Sequence, residues 1–247
     1  TGRRESLRAI IKGDRCIHPA SVYDGVSARI AGDLGFEAMM FAGSVASFTV
    51  LGAPDLCVLT LTEFAQQAYR INRAGSLPLL VDADHGYGNA LSVKRTIEEL
   101  ETAGVSGLTI EDTLLPIAFG GDDKQLISIA EGVGKMKAAV AGRQDPRLVI
   151  IGRTSAVAIT GVEDTIARLK AALRLLDWSA CEAALQSGDD ENINYKWSFV
   201  AKVGPAAEPA WLPLGAELID DRKHLDRCIH RGLHDFVRIL QMVPIHP

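Results

Sequence analysis

The sequence predicts an α/β chain of the (β/α)8 barrel type. Three observations carry that prediction. Over the first two-thirds of the 247 residues, short apolar runs alternate with longer amphipathic ones. The short runs are apolar on both faces, as expected of parallel strands covered by helices. A polar or charged pair follows each of five consecutive runs, and in a barrel all such strand ends converge on one rim, where residues far apart in sequence become one site. An open doubly wound sheet would instead spread them along an edge and confine a ligand to a switch point.

Taken in order, the first strand covers Ile17–Val22, ends at Tyr23-Asp24, and leads into a helix over 25–34. The second, Ala38–Ala42, ends at Gly43-Ser44; a long connection carrying Asp55 then reaches a helix over 61–74, where Thr60 and Thr62 stand before Glu63 as N-cap candidates. The third, Leu79–Asp82, runs into Ala83-Asp84 and a glycine-rich turn, with Asn89 as cap of a helix over 91–103. That helix places Val93, Ile97 and Leu100 on one face and Lys94, Arg95, Glu98, Glu99 and Glu101 mostly around the other. The fourth strand, Gly107–Ile110, ends at Glu111-Asp112 before a helix over 128–142; the fifth, Val149–Gly152, ends at Arg153-Thr154 before a helix over 162–175. Gly104 and Gly142 follow helical runs as expected C-caps.

Beyond Ala171 the pattern departs, and strands six to eight are not placed by it. Too few residues remain for three units of roughly 30 each, and the strand candidates are Phe199–Val203 and Ala216–Ile219. A helix from about Asp221 to Val243 presents Leu225, Ile229, Leu233, Phe236, Val237 and Leu240 as a stripe that needs a partner, and it carries His230 and His234 four apart. Without a third ligand or an HExxH setting, that pair reads as part of a surface or interface helix.

Composition narrows the function. With 47% hydrophobic residues the chain can bury a large core, and residues 1–247 read as one domain, patterned to about 171 and divergent over 172–247. A net charge of −5 without a basic cluster interleaved with aromatics excludes nucleic acid as an expected partner. Cys16, Cys57, Cys181 and Cys228 form no CxxC pair, which fits reduced thiols in a cytoplasmic protein. The uncharged stretch Ala38 to Pro54 is too polar to span a membrane, and TGRRESLRAIIKGDR lacks the apolar core of a signal peptide, so neither a membrane nor a targeting segment is expected.

The chemistry concentrates in VDADHGYGN, residues 81–89. Asp82 ends a strand and Asp84 lies two residues on, so both carboxylates reach one rim position if the backbone leaves the pleat. Oxygen ligands few in number suit Mg2+ or Mn2+ better than Zn2+. Glu111 and Asp55 add carboxylates, and Gly86 and Gly88 let the chain turn sharply beside a ligand. The other reading of the two aspartates is an Asx-turn and a helix cap. His85 either donates to a substrate and orients a bound water, or packs beneath the loop.

Together with GSVAS (43–47), TIEDTLLP (109–116), EGVGK (131–135) and IIGRTSA (150–156), this run resembles the isocitrate lyase and phosphoenolpyruvate mutase superfamily, most closely its oxaloacetate decarboxylase branch, from about Ser6 to about Ala171. The resemblance implies a barrel whose last helix is exchanged between subunits, a homo-oligomer arranged as a dimer of dimers, Mg2+ (or Mn2+) as cofactor, and 2-oxo or 2-hydroxy acid substrates processed through metal-stabilised enolates. It makes Asp82 and Asp84 metal-site carboxylates, with Glu111 and Asp55 holding metal-bound waters. Ser44, with the amides of Gly43 and Val45, would hold the substrate carboxylate. Tyr23 and Asp24 would border the pocket, and Arg153 would face the developing oxyanion. An enolate formed there can take its proton from water or from a nearby weak acid such as Tyr23 or His85. The loop DTLLPIAFGGDDKQ (112–125) lacks the cysteine of the lyases, and Lys124 lies too late for the lysine of the mutases, so chemistry needing a gated acid is not expected. The expectation is a Mg2+-dependent decarboxylase of a 2-oxo diacid such as oxaloacetate. A carbon–carbon lyase or phosphonate-processing member, and a non-catalytic oligomeric homologue, stand as alternatives.

Overall fold

The computed structural model describes residues 2–13, 17–121, 124–173 and one short strand at 200–201. Its strands are β1 (Ala20–Ser21), β2 (Met39–Phe41), β3 (Leu79–Asp82), β4 (Gly107–Glu111), β5 (Val149–Thr154) and β6 (Val200–Ala201). They pair in sequence order, each parallel to the next. An order with no reversal has no switch point, so among the described strands the winding is that of a barrel and not of a doubly wound sheet. The strand expected at Phe199–Val203 is present as β6, against β5. The strand expected at Ala216–Ile219, the helix with His230 and His234, and Cys16, Cys181 and Cys228 lie outside the described residues.

The helices are α1 (Gly2–Lys12), α2 (Gly25–Asp33), α3 (Gly43–Ala46), α4 (Leu61–Ala74), α5 (Ala90–Thr102), α6 (Ile129–Gly142), α7 (Ala156–Ile159) and α8 (Val162–Leu173). Capping sets several of their starts. Thr60 and Glu63 form a reciprocal capping box at α4, Asn89 accepts from the amides of Leu91 and Ser92 at α5, and Ser128 accepts from Glu131 at α6. Gly104, at φ 84°, takes the left-handed position after α5 as expected. Gly142 does not act as a cap. It is the last residue of α6, and a Cβ there would lie 2.7 Å from the Lys94 carbonyl oxygen, so the glycine lets α6 press against α5. Four elements have no counterpart in the sequence reading: α1, the short helices α3 and α7, and a π-helical turn at Ser47–Leu51.

The sheet has two apolar faces that follow the period of two along each strand. Met39, Phe41, Leu79, Val81, Leu108 and Ile110 join Phe64, Ile71, Val93, Ile97 and Leu100 from the helices in the main core. Met40, Leu80, Val149 and Ile151, on the opposite face, form a second cluster with Leu7 of α1. Arg4 anchors that helix: its Nε donates to the Val105 carbonyl (3.0 Å), Nη2 to the Glu101 carbonyl (2.8 Å) and Nη1 to Asp145 Oδ2 (2.7 Å). Extending the second face toward the strand ends replaces apolar residues with polar ones. Leu80 is followed two residues on by Asp82, Thr109 by Glu111, and Ile151 by Arg153.

Candidate active site

Strand register brings the polar ends together. Asp82 stands beside Thr109, and Glu111 beside Arg153. The Thr109 hydroxyl donates to Asp82 Oδ1 at 2.7 Å. Arg153 spans the two acids: Nη1 donates to Asp82 Oδ2 at 2.5 Å, while Nη2 and Nε donate to Glu111 Oε2 at 2.6 and 3.1 Å. Both ion pairs are largely withdrawn from water. Burial works against the charge on Asp82, but the Arg153 charge and the hydrogen bonds from Thr109, Arg153 and the Asp84 amide outweigh it and hold its pKa below the usual carboxylate value. Burial likewise opposes charge on Arg153, and Asp82 and Glu111 raise its pKa despite it.

Asp84 sits differently. It occupies the left-handed region at φ 45°, in a turn closed by the Gly86 amide on the Ala83 carbonyl (2.8 Å), with the Glu111 amide on its own carbonyl (2.7 Å). Gly86 and Gly88, at φ 76° and 142°, make the sharp turn expected of them. The Asp84 carboxylate points at Gly43 across the site: a Cβ on that glycine would be 2.7 and 2.8 Å from its two oxygens. Burial, then the charges of Asp82, Asp55 and Glu111, push its pKa up to about 8 against the smaller pull of Arg153. Four carboxylates therefore share one guanidinium. Asp55 lies on the exposed connection, in reach of the Ser47 hydroxyl (3.4 Å) and the Cys57 thiol (3.8 Å).

The other expected site residues separate into groups. Gly43, Ser44 and Val45 form the first turn of α3, next to Asp84, where helix geometry leaves amides without intrahelical partners. Asp24 is engaged as the N-cap of α2: its Oδ1 accepts from the Ser27 amide and hydroxyl, both at 2.8 Å. Tyr23 is 47% exposed, and its carbonyl accepts from Gln67. Among the described residues no hydrogen bond ties either to the acids. His85 is buried at 8% exposure with Nδ1 lacking a partner; burial and then the Lys135 charge lower its pKa to about 4, so the ring is neutral.

Residues that the sequence reading did not single out also meet here. Thr109 was detectable, because it shares the strand face of Glu111. Cys57, at φ 54°, comes near enough to feel Asp84, Asp55, Glu111 and Asp82, and burial first, then those charges, push its thiol up to about 12. Tyr87 packs against Phe64 and His85, and its pKa is raised by burial, then by Asp84 and Asp82. Lys135 on α6 donates to the His85 carbonyl at 2.8 Å. Nothing local to Cys57, Tyr87 or Lys135 signals their neighbours.

Among the described residues no three His, Cys, Asp or Glu side chains close into a ready metal cage. What is assembled is an oxygen-rich cluster with more negative charge than Arg153 balances, around the Asp84 carboxylate, to which no side-chain or amide donor is bonded among the described residues. Such a donor set suits a hard divalent cation. No helix among the described residues is long and apolar enough to cross a membrane.

The phosphoenolpyruvate phosphomutase family matches residues 7–174. An oxaloacetate decarboxylase of Bradyrhizobium diazoefficiens is 66% identical over 169 residues, 68% of this chain and 59% of that protein. One of Rhodopseudomonas palustris is 63% identical over 169 residues, 68% of this chain and 58% of its own. The chain thus matches less than two-thirds of the length of these curated relatives. Among solved structures, oxaloacetate acetylhydrolase in complex with the product oxalate superposes with a TM-score of 0.65 at 29% identity, over 80% of this chain and 70% of that one. 2,3-Dimethylmalate lyase gives 0.64 at 30% identity, over 83% and 72%.

Proposed function

Because the chain belongs to the phosphoenolpyruvate phosphomutase family, we propose that it decarboxylates a 2-oxo diacid, oxaloacetate to pyruvate and CO2, with a divalent cation, Mg2+ or Mn2+, as cofactor. The observation that carries the reading is the guanidinium of Arg153 set between Asp82 and Glu111, with Asp84 beside them unpaired among the described residues. The names of the curated relatives favour oxaloacetate. Asp84 and Asp82 would hold the cation, with Glu111 and Asp55 accepting from its water shell. Bound there, the cation would act as a Lewis acid toward the 2-oxo group.

The chain's own residues account for the rest. The free amides of Gly43, Ser44 and Val45 would receive the C1 carboxylate, fixing which end of the diacid enters the site. As the bond between C3 and the departing carboxylate breaks, its electron pair moves into C2–C3 and charge gathers on the C2 oxygen. Arg153, already oriented by two acids, stands ready to stabilise that charge without reorganising. The enolate is then protonated at C3, and this needs no gated acid: water suffices. Neutral His85, with its unpartnered Nδ1, has no proton to give from that atom unless Nδ1 carries the hydrogen, and Tyr23 lies open to solvent, so neither is required.

Purified protein, Mg2+ and oxaloacetate test the proposal, with pyruvate followed by a coupled assay and the metal-only rate subtracted. Activity should vanish, and calorimetric Mg2+ binding with it, in Asp84→Ala and Asp82→Ala. A wild-type rate equal to the metal-only background sinks the decarboxylase. Carbon–carbon cleavage is a second reading, favoured by the likeness to 2,3-dimethylmalate lyase, and 2-methylisocitrate offered to the same preparation tests it; phosphonopyruvate tests the phosphonate-processing alternative. The homo-oligomer expected from the resemblance is supported by the exposed apolar row Val26, Ile30 and Leu34 along α2, and sedimentation of the protein tests it.

A further inference from the structure

The turn that carries Asp84 has each of its carbonyls taken by a different donor. Ala83 accepts from the Gly86 amide (2.8 Å), Asp84 from the Glu111 amide (2.7 Å), and Gly86 from the Thr96 hydroxyl of α5 (3.0 Å). His85 accepts from the Lys135 ammonium of α6 (2.8 Å). The first three donors are neutral and easily buried. The fourth is a cation at 3% exposure, 50 residues away in sequence. Removing an ammonium from water is costly, and a neutral donor would satisfy one carbonyl equally well.

The charge itself has neighbours to act on. Glu131 lies one turn back on α6, and Asp112 and Glu111 lie at the end of β4; all three raise the proton affinity of Lys135 against its burial. Lys135 lines a cavity of about 40 Å3 together with Glu111, Asp112 and Arg153, on the α6 and α8 side of the carboxylates. Arg168 reaches the same cavity, but it is engaged with Asp112 and Asp164. Lys135 thus acts on two parts of the centre at once, on the turn after β3 through a hydrogen bond and on the acids at the end of β4 through its charge.

We infer that Lys135 is a positioning residue of the proposed catalytic centre: from α6 it pins the main chain at His85, and so fixes where the left-handed Asp84 presents its carboxylate to Gly43, while its charge offsets Glu111 and Asp112. The inference rests on the active-site reading given above. Three measurements on Lys135→Met and Lys135→Arg test it: hydrogen exchange in metal-free protein, Mn2+ affinity by titration, and pyruvate formation from oxaloacetate. In the methionine variant the amides of residues 83–89 exchange about tenfold faster, with β5 and α1 unchanged, and Mn2+ binds about ten- to a hundredfold more weakly. The arginine variant, which keeps a donor and a charge, recovers most of both. Lys135→Gln is read in the same way if the methionine variant does not fold.

Wild-type exchange in the turn with wild-type Mn2+ affinity overturns the inference. So does loosening spread evenly through the chain, or failure of all three variants to fold, because the ammonium would then serve the core as a whole. A wild-type protein inert toward oxaloacetate, with the turn still loosened in Lys135→Met, supports the positioning role and refutes the reaction instead.

Discussion

Gly43→Ala separates the geometry of the site from the stability of the fold. The added Cβ falls 2.7 and 2.8 Å from the Asp84 oxygens and 3.0 Å from its carboxyl carbon, where ordinary contact begins at 3.4 Å, so the carboxylate must retreat by about 0.7 Å. The obstacle is the end of a side chain, which can yield, and Gly43 opens α3 without needing a positive φ. Alanine in a helix gains up to about 1 kcal/mol over glycine, which offsets part of the crowding. The melting temperature should therefore stay within about 4 °C of wild type. Catalysis is less forgiving. Ligand distances in metal sites hold within about 0.2 Å, and a misplacement of about 1 Å costs on the order of a hundredfold in rate. Pyruvate formation should fall about ten- to a hundredfold at unchanged folding, with Mg2+ affinity reduced in parallel. A variant with full activity and wild-type affinity would show that the Asp84 carboxylate does not work from the position facing Gly43.

The other expectations follow from single contacts. Arg153→Lys keeps the charge but cannot bridge Asp82 and Glu111 together, so kcat should drop at least about tenfold, more than KM changes, and steady-state kinetics equal to wild type would remove Arg153 from the reaction. Asp84→Asn reports on the raised carboxyl: folding takes up a proton there between the ordinary carboxylate pKa of 3.8 and about 8, so wild-type stability falls as pH rises through that window. In EDTA the asparagine variant should melt increasingly above wild type from pH 5 to 8.5, and a pH-independent difference contradicts the assignment. Gly142→Ala forces a Cβ to 2.7 Å from the Lys94 carbonyl, a backbone atom that cannot step aside. Denaturation should show a loss of about 1–3 kcal/mol, with the activity per folded molecule unchanged.

Local rules made much of this architecture readable. Leu79–Asp82 lies where its apolar run ends, and the helices after β2 and β3 begin where Thr60 and Asn89 supply side-chain caps. Period two also places Arg153 on the face of Ile151, and Glu111 on that of Thr109. The missing parts depend on distant partners. In GRRESLRAIIK the charged residues mask a helix whose Arg4 is buried against Glu101, Val105 and Asp145 and whose Leu7 is buried against Met40, Leu80, Val149 and Ile151, all far along the chain. Gly142 reads as a helix stop because glycine often is one, and only the approach of α5 reveals its other use. Lys135 ends the EGVGK run that helps carry the resemblance, but its role there shows only when the His85 carbonyl arrives from another unit. The π-helical turn at Ser47–Leu51 follows from no pattern in its own residues that we can identify.

The Arg4 anchor also sets a schedule for synthesis. Its partners Glu101, Val105 and Asp145 stand 97, 101 and 141 residues farther along the chain. A ribosome adding roughly 5–20 residues per second makes Arg4 about 7 to 28 s before Asp145. Helix α1 is therefore made well before all of its polar partners exist, and the cluster of Leu7 with Met40, Leu80, Val149 and Ile151 is not complete until β5 has been translated. During that interval α1 is a natural handle for a chaperone. Slower decoding over residues 101–151 would lengthen the exposure without altering a single contact in the finished protein.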